Sequence, residues 1–511
     1  MGTALPAADR APGDVVGPID RPRTVVALFA GLSLLFGTVF AVLVPVAWGP
    51  DEGSHFHRAH QVSEGGFAPD RLPDDGPYPV YGGSSPAAAT DFIREFQGPP
   101  RSTEHRSDPL FVPSEARREA LAEPLAGESA TAWFPNTAAY SPVPYLPAAL
   151  GARLGAAADL GVGGTWVLMR MLQVVSYTAV AAAGLWALRR TRFLWVGFCV
   201  ALLPTALYQS AVISADSVTN AVAFTFTALV LRATVLDRSR EPLSRTGLAV
   251  LLASAVALPL MKPTYVILSL LLLVVPLRAY PLPRRADGRP VRAALLLGGC
   301  LLVTLAAFAW WTALSAGTTE AMGLLRGPEE RHTVRPGDQL AFVLGEPVAV
   351  LGVALRTVLT LDWTYAASFV GQMGYGRGEN VNGPFVGAVC WFVALGAAFL
   401  HSPRAAVPRR VTAGLAAVLL LNVAAVFGTL YLSFAPVQSG VVNGVQGRYF
   451  VPLALLLAGT LLPVVSARLP AAPAALRRVD TTVLVLVPVS AALAVAGYAT
   501  QVHIPGHYPL P

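Results

Sequence analysis

The chain has 511 residues, of which 54% are hydrophobic and 13% charged, with a mean hydropathy of +0.55. That balance excludes a soluble enzyme and describes a multi-pass membrane protein. A net charge of +7 does not argue for a nucleic-acid partner, because membrane proteins gather arginine in cytoplasmic loops.

The polar segment 1–23 precedes a strongly apolar stretch at 24–47. That stretch is longer than a signal-peptide core and lacks a convincing Ala-x-Ala site, so it reads as a retained helix. A polar loop of 92 residues, 48–139, follows and holds 14 of the 30 acids. Its Pro- and Gly-rich composition predicts a small irregular domain with short surface helices such as Ser114–Glu123. Further apolar stretches lie near 164–188, 193–212, 216–233, 246–260, 263–279 and 291–316, then near 384–400, 411–434, 448–467 and 481–499. A single helix over 246–279 would be about 51 Å long, beyond the hydrocarbon core, so two short helices are expected there. A second polar region, 317–383, contains Gly374-Tyr-Gly-Arg-Gly-Glu-Asn380. Cys199, Cys300 and Cys390 lie far apart in apolar segments and suggest neither a disulfide framework nor a metal set.

Arginine clusters orient the spans. They comprise Arg189, Arg190 and Arg192; Arg232, Arg238, Arg240 and Arg245; Arg278, Arg284, Arg285, Arg289 and Arg292; Arg404, Arg409 and Arg410; and Arg468, Arg477 and Arg478. With these loops and the N-tail in the cytoplasm, 21 of 37 basic residues but only 7 of 30 acids are inside. The pattern is best when neither 140–158 nor 340–370 crosses. The expectation is an all-α polytopic protein of eleven spans, or thirteen if both segments cross. The loop 48–139, the segment 317–383 and the tail 501–511 would be external, with helical blocks at 140–316 and 384–500.

Chemistry concentrates at the exit of the first span, in Trp48-Gly-Pro-Asp-Glu-Gly-Ser-His-Phe-His-Arg-Ala-His60. Asp51 and Glu52 there suit a general base or a pair of ligands to a divalent cation, Mg or Mn. They equally suit the positive start of a helix running through His60. His57 and His60 share a helical face while His55 points elsewhere, too few ligands for a zinc site. Arg58 can pair with Glu52 or meet a phosphate. Lys262 is the sole lysine, at a break between helices in Met261-Lys-Pro-Thr-Tyr265. In a chain that otherwise uses arginine it points to a compact ammonium against a phosphate, or to a snorkelling anchor. Arg448, in Asn443-Gly-Val-Gln-Gly-Arg-Tyr-Phe450, offers a phosphate-binding fork beside glycines that allow close approach. Gln446 and Tyr449 suit sugar hydroxyls. Asp216, in Ser214-Ala-Asp-Ser-Val-Thr-Asn220, reads as an N-cap, and Arg170 is a mid-span charge. Asn136 and the run Tyr140-Ser-Pro-Val-Pro-Tyr-Leu-Pro147 return the chain to the membrane surface. No P-loop, dinucleotide fingerprint, nucleophile elbow or His-Glu-x-x-His occurs, so nucleotide-driven chemistry has no support.

Together, Gly49-Pro-Asp-Glu-Gly-Ser-His-Phe-His-Arg-Ala59, Tyr140–Pro147, Ser214–Ala221, Met261–Tyr265 and Gly444–Phe450 resemble a family of predicted bacterial multi-spanning membrane proteins of unknown function. That family looks related to the GT-C glycosyltransferases. The resemblance implies a sugar transferase using a polyprenyl-phosphate-linked donor on the external face of the cell membrane, with a cell-envelope glycan or lipid as acceptor. It also implies an acid in the first external loop, which falls on Asp51, with Glu52 beside it. Lys262 and Arg448 would then hold the donor phosphate, with or without a divalent cation. The alternatives are a transporter or flippase for a lipid-linked glycan, and a non-enzymatic envelope assembly protein. The last requires that Asp51, Lys262 and Arg448 stay apart in space.

Overall fold

The computed structural model describes residues 22–73, 79–97, 111–191, 193–234, 243–283, 290–325, 330–360, 363–375, 380–401, 407–468 and 479–504. The N-tail up to residue 21, residues 376–379 of the glycine-rich motif, and 505–511 lie outside the described residues. So do Arg192, Arg238, Arg240, Arg284, Arg285, Arg289, Arg404, Arg477 and Arg478.

The chain is built almost entirely of helices. Helix α1 (Pro22–Leu43) leads into α2 (Glu52–Ser63). Strands β1 (Asp70–Leu72) and β2 (Val80–Pro86) follow, then α3 (Ala87–Phe96), α4 (Glu115–Ala122) and strand β3 (Ser129–Trp133). Serine 114 caps α4 as expected for a short surface helix, its hydroxyl accepting from the Arg117 N–H. The three strands form an antiparallel sheet in the order β1-β2-β3. The sequence reading of an irregular domain missed it, because β2 is Val80-Tyr-Gly-Gly-Ser-Ser-Pro86 and lacks the alternation that marks a strand.

The short α5 (Pro135–Ala138) and α6 (Leu146–Ala157) then lead to α7 (Val162–Leu188), α8 (Leu194–Ala201), α9 (Pro204–Ser210), α10 (Asp216–Thr234), α11 (Arg245–Met261) and α12 (Val291–Leu314). Between α11 and α12 lies a 12-residue 3-10 helix, Pro263–Val274. The break at Lys262 has a local cause. Pro263 carries no N–H and disfavours helical geometry in the residue before it, and Lys262 is extended at φ −143°. The 3-10 form covers about 24 Å in 12 residues where an α-helix covers about 18 Å, which lets a short segment reach across.

The chain continues through α13 (Pro336–Gly345), α14 (Pro347–Thr360), α15 (Trp363–Gly371), the two-stranded β4 (Gln372–Tyr375) and β5 (Asn380–Asn382), α16 (Phe385–His401), α17 (Arg409–Ser433), α18 (Ala454–Arg468) and α19 (Val479–His503). The apolar helices Arg331–Gly345 and Pro347–Thr360 meet at a bend of 105°. Among the described residues, six helices are long and apolar enough to cross a bilayer: Pro22–Leu43, Val162–Leu188, Val291–Leu314, Arg409–Ser433, Gly447–Val464 and Asp480–His503. The other expected spans are shorter or less apolar. Helix α10 is one, and it is buried on nearly every side. Two of its threonines bond carbonyls, Thr219 that of Ala215 and Thr225 that of Val180 on α7, while the Thr227 hydroxyl is buried without a partner. The chain is an all-α polytopic membrane protein.

Contacts bring many helix termini to one end. His503 at the end of α19 donates to the Leu43 carbonyl, Trp311 on α12 donates to Ala139, and the Ile213 N–H before α10 reaches Glu52. The ends of α11 and of the segment before α18 join them, through Lys262 to Asp216 and through the Tyr265 hydroxyl to the Tyr449 carbonyl. Arg189, Arg245, Arg292 and Arg409 lie at the opposite termini of their helices.

Candidate functional site

A cavity of about 390 Å³ opens among these gathered termini. One wall is polar: Asp51, Asn136, Tyr140, Lys262, Tyr265, Gln446, Arg448 and Tyr449. Helix α17 supplies the other, with Val426, Thr429, Leu430 and Phe434 spaced so that one helical face is presented.

Asp51 stands in the turn between α1 and α2. It is left-handed at φ 54° and makes no side-chain cap to α2, so the capping reading of this residue is not what the structure contains. Its carboxylate is 44% exposed and lies 4.0 Å from Arg448. Arg448, 9% exposed, is the second residue of the 3-10 turn Gly447–Leu453. That turn is pressed against α15: the Gly447 N–H donates to Ser368 Oγ at 2.9 Å, and a Cβ on Gly447 would lie 2.3 Å from the Phe369 nitrogen. Glycine is needed at 447 for this approach. Gln446 receives a long bond from Gln372 Nε2 at 3.4 Å.

Lys262 donates to Asp216 Oδ1, and both side chains are nearly buried, at 12% and 13% exposure. Asp216 Oδ2 accepts from Gln209, whose own carbonyl oxygen accepts from Asn220. The chain Asn220–Gln209–Asp216–Lys262 fixes the ammonium from below. From above it meets aromatic faces, 5.5 Å from the Tyr140 ring centre and 5.7 Å from that of Tyr449. Asp216 is therefore an ion-pair partner at the first turn of α10, not merely a cap. Residue spacing gave no signal for this, since Lys262 is 46 positions away.

Of the residues singled out in the sequence, Asp51, Lys262, Gln446, Arg448 and Tyr449 line the cavity together. Glu52, His55 and Arg58 do not. Glu52 is fully buried, and both its oxygens are taken by Arg170, by the Gly49 N–H and by the Ile213 N–H. Asp51 and Glu52, read together in the sequence as a catalytic pair or metal ligands, therefore do not share the cavity. Asp51 lies in the turn before α2 while Glu52 opens the helix, and the four hydrogen bonds to Glu52 occupy its carboxylate oxygens. Among the described residues no group of three His, Cys, Asp or Glu stands together as a metal site. Arg58, also fully buried, does not pair with Glu52 or face the cavity. It donates to Gln61, to the Phe67 carbonyl and to the Tyr140 carbonyl, and so anchors Tyr140 from behind.

His55 is buried behind Tyr140, its ring parallel to the tyrosine's at 6.1 Å, and its Nδ1 bonds the Tyr145 hydroxyl at 2.7 Å. Burial lowers its pKa to about 3; Asp216 opposes the shift, and Lys262 and Arg448 add to it. It does not line the cavity. His57 bonds Ser85 Oγ at 2.8 Å in the small sheet, and burial with a contribution from His60 lowers it to about 3 as well.

A bundle of membrane helices with an amphiphilic cavity among its gathered ends defines a multi-pass membrane protein, embedded in a lipid bilayer, with a pocket suited to a ligand part charged and part greasy. The chain belongs to the family described as predicted membrane protein DUF2142, which matches residues 34–457. The match runs from within α1 into α18 and includes every cavity residue named above. No curated protein matches the chain.

Proposed function

We propose that the protein is a membrane glycosyltransferase that moves a sugar from a polyprenyl-phosphate-linked donor to a cell-envelope acceptor. The observation that carries this reading is the two-sided cavity. A carboxylate and two cations share its polar wall, and a membrane helix forms the apolar one. The volume is near the lower end for ligand pockets, roughly 300–1,000 Å³, and suits one monosaccharide with its phosphate rather than an oligosaccharide.

In this mechanism Asp51 takes the proton from the acceptor hydroxyl. The acceptor oxygen bonds the anomeric carbon as the bond from that carbon to the phosphate oxygen breaks. The electron pair stays on the departing polyprenyl phosphate. Lys262 and Arg448 bear on the charge that gathers there, held ready before the reaction begins. Gln446 and Asn136 meet the sugar, and the polyprenyl chain runs along α17. The site faces the outside, with the N-terminus cytoplasmic, the C-terminus external, and 48–139 and 317–383 forming the outer surface. The arginines at the opposite helix ends support this orientation. Asp51 alone remains for a divalent cation, which would bind with the donor phosphate rather than in a preformed protein cage.

The test compares envelope glycans and polyprenyl-phosphate sugars in three strains: deleted, complemented with wild type, and complemented with Asp51→Asn at matched protein level. Deletion and Asp51→Asn should lose the same glycan and accumulate one lipid-linked sugar. A wild-type profile from Asp51→Asn removes Asp51 as the base and favours transport or assembly.

A further inference from the structure

Glu52 and Arg170 form a fully buried, hydrogen-bonded ion pair, yet neither touches the cavity. Arg170 comes from the middle of α7 and is fully buried. All five of its guanidinium N–H groups have a partner. Nε donates to Glu52 Oε1 at 2.7 Å, and Nη2 donates to Glu52 Oε2 at 2.6 Å and to the Pro45 carbonyl at 3.0 Å. Nη1 donates to the carbonyls of Ala41 and Val44 at 2.9 and 2.6 Å. The fork thus meets the Ala41 carbonyl at the end of α1 and the Val44 and Pro45 carbonyls just beyond it, and then clasps the carboxylate one residue after Asp51.

Glu52 uses its remaining lone pairs in two directions. Oε2 accepts from the Gly49 N–H at 3.0 Å, tightening the turn on which Asp51 sits. Oε1 accepts from the Ile213 N–H at 2.9 Å, three residues before Asp216. Two residues in this turn, Ala47 and Asp51, hold positive φ values of 66° and 54°. Side chains rarely adopt that region without surroundings that impose it. One buried pair therefore joins the end of α1, the strained turn, α7 and the start of α10.

We infer that Glu52 and Arg170 are positioning residues, which fix Asp51 relative to Asp216 and so the proposed base relative to the Lys262 ammonium. The inference rests on the transferase reading for its consequence, but its geometric part is measurable without substrate. The informative variant is Glu52→Asp. It keeps the charge against Arg170 but is one methylene too short to reach both the Gly49 and Ile213 N–H groups.

The experiment places a thiol at the site by Asp51→Cys in the full chain in lipid nanodiscs. It follows labelling by a water-soluble maleimide against pH, with the chain lacking that substitution as the blank. Arg448 should hold the thiol midpoint below the ordinary value of about 8.5. Adding Glu52→Asp should raise the midpoint by about half a unit or more, as the turn leaves Arg448. In complemented strains Glu52→Asp alone should reduce the glycan at least tenfold at matched protein level. If Glu52→Asp does not fold, the neutral pair Glu52→Gln with Arg170→Gln replaces it in both measurements. An unmoved labelling curve overturns the inference and leaves the transferase reading standing. So does a moved curve with wild-type glycan output. Asp51→Asn with wild-type glycan overturns the transferase reading instead, and the labelling curve still decides whether the pair holds the turn.

Discussion

Lys262 and Arg448 stand over the same aromatic ring. The ammonium is 5.7 Å and the guanidinium 5.3 Å from the centre of Tyr449. The negative face of the ring draws both cations to one place that they would otherwise avoid sharing. Each such contact contributes about 0.5–2 kcal/mol. Tyr449→Leu should therefore raise the KM for the lipid-linked donor by about tenfold or more. Tyr449→Phe, which keeps the ring, should stay within about threefold for the same reason. Equal effects from the two substitutions would assign the role to the hydroxyl.

Asp51→Asn should lower kcat by about 10² to 10⁴ with thermal stability essentially unchanged, since the carboxylate is partly exposed and caps nothing. The check is turnover of purified protein alongside its melting curve. A fall in both together would make Asp51 a structural residue.

Lys262→Met should destabilise by about 3 kcal/mol, because it leaves Asp216 nearly buried with Gln209 as its remaining side-chain partner. Adding Asp216→Asn should recover most of that stability without recovering activity. Stability is read from denaturation in detergent and activity from the glycan profile. Restored activity in the double variant would show that the ammonium serves only to neutralise Asp216.

His55 and His57 bind fewer protons in the folded chain than in the unfolded one, because burial lowers each to about 3. The folded state is thus undiminished above about pH 6.5. It loses stability as pH falls from there toward 3, by about 2 kcal/mol per histidine at pH 5. His57→Asn keeps a partner for Ser85 and cannot be protonated, so it should flatten the fall in melting temperature between pH 7.5 and 5. An unchanged acid limb would place the loss elsewhere.

How much was legible before the structure depended on how far apart the partners lie in sequence. The break at Lys262 followed from Pro263 alone, and the convergence of Asp51, Lys262 and Arg448 was the condition set for an enzyme. The pairing of Glu52 with Arg170, and of Lys262 with Asp216, was not legible. Each joins residues on different helices, and a lone charge in an apolar stretch announces a partner without naming it. Reading Glu52 as a second catalytic acid came from its place beside Asp51. Asp51 stands in a left-handed turn and Glu52 opens the helix after it, so adjacency in sequence does not bring their side chains to one place. The sheet escaped because its central strand is glycine and serine at the core of its pairing.

The apolar wall of α17 has a practical side. Val426, Leu430 and Phe434 offer an alkyl chain a seat beside the charged groups, and a detergent tail fits that description as well as a polyprenyl one. Protein extracted into micelles would then carry its own competitor. Its KM should climb with detergent concentration and fall on transfer to nanodiscs, while kcat stays put. On the transferase reading proposed above, assays in micelles therefore report as much on the solubilising agent as on the substrate until the bilayer is restored.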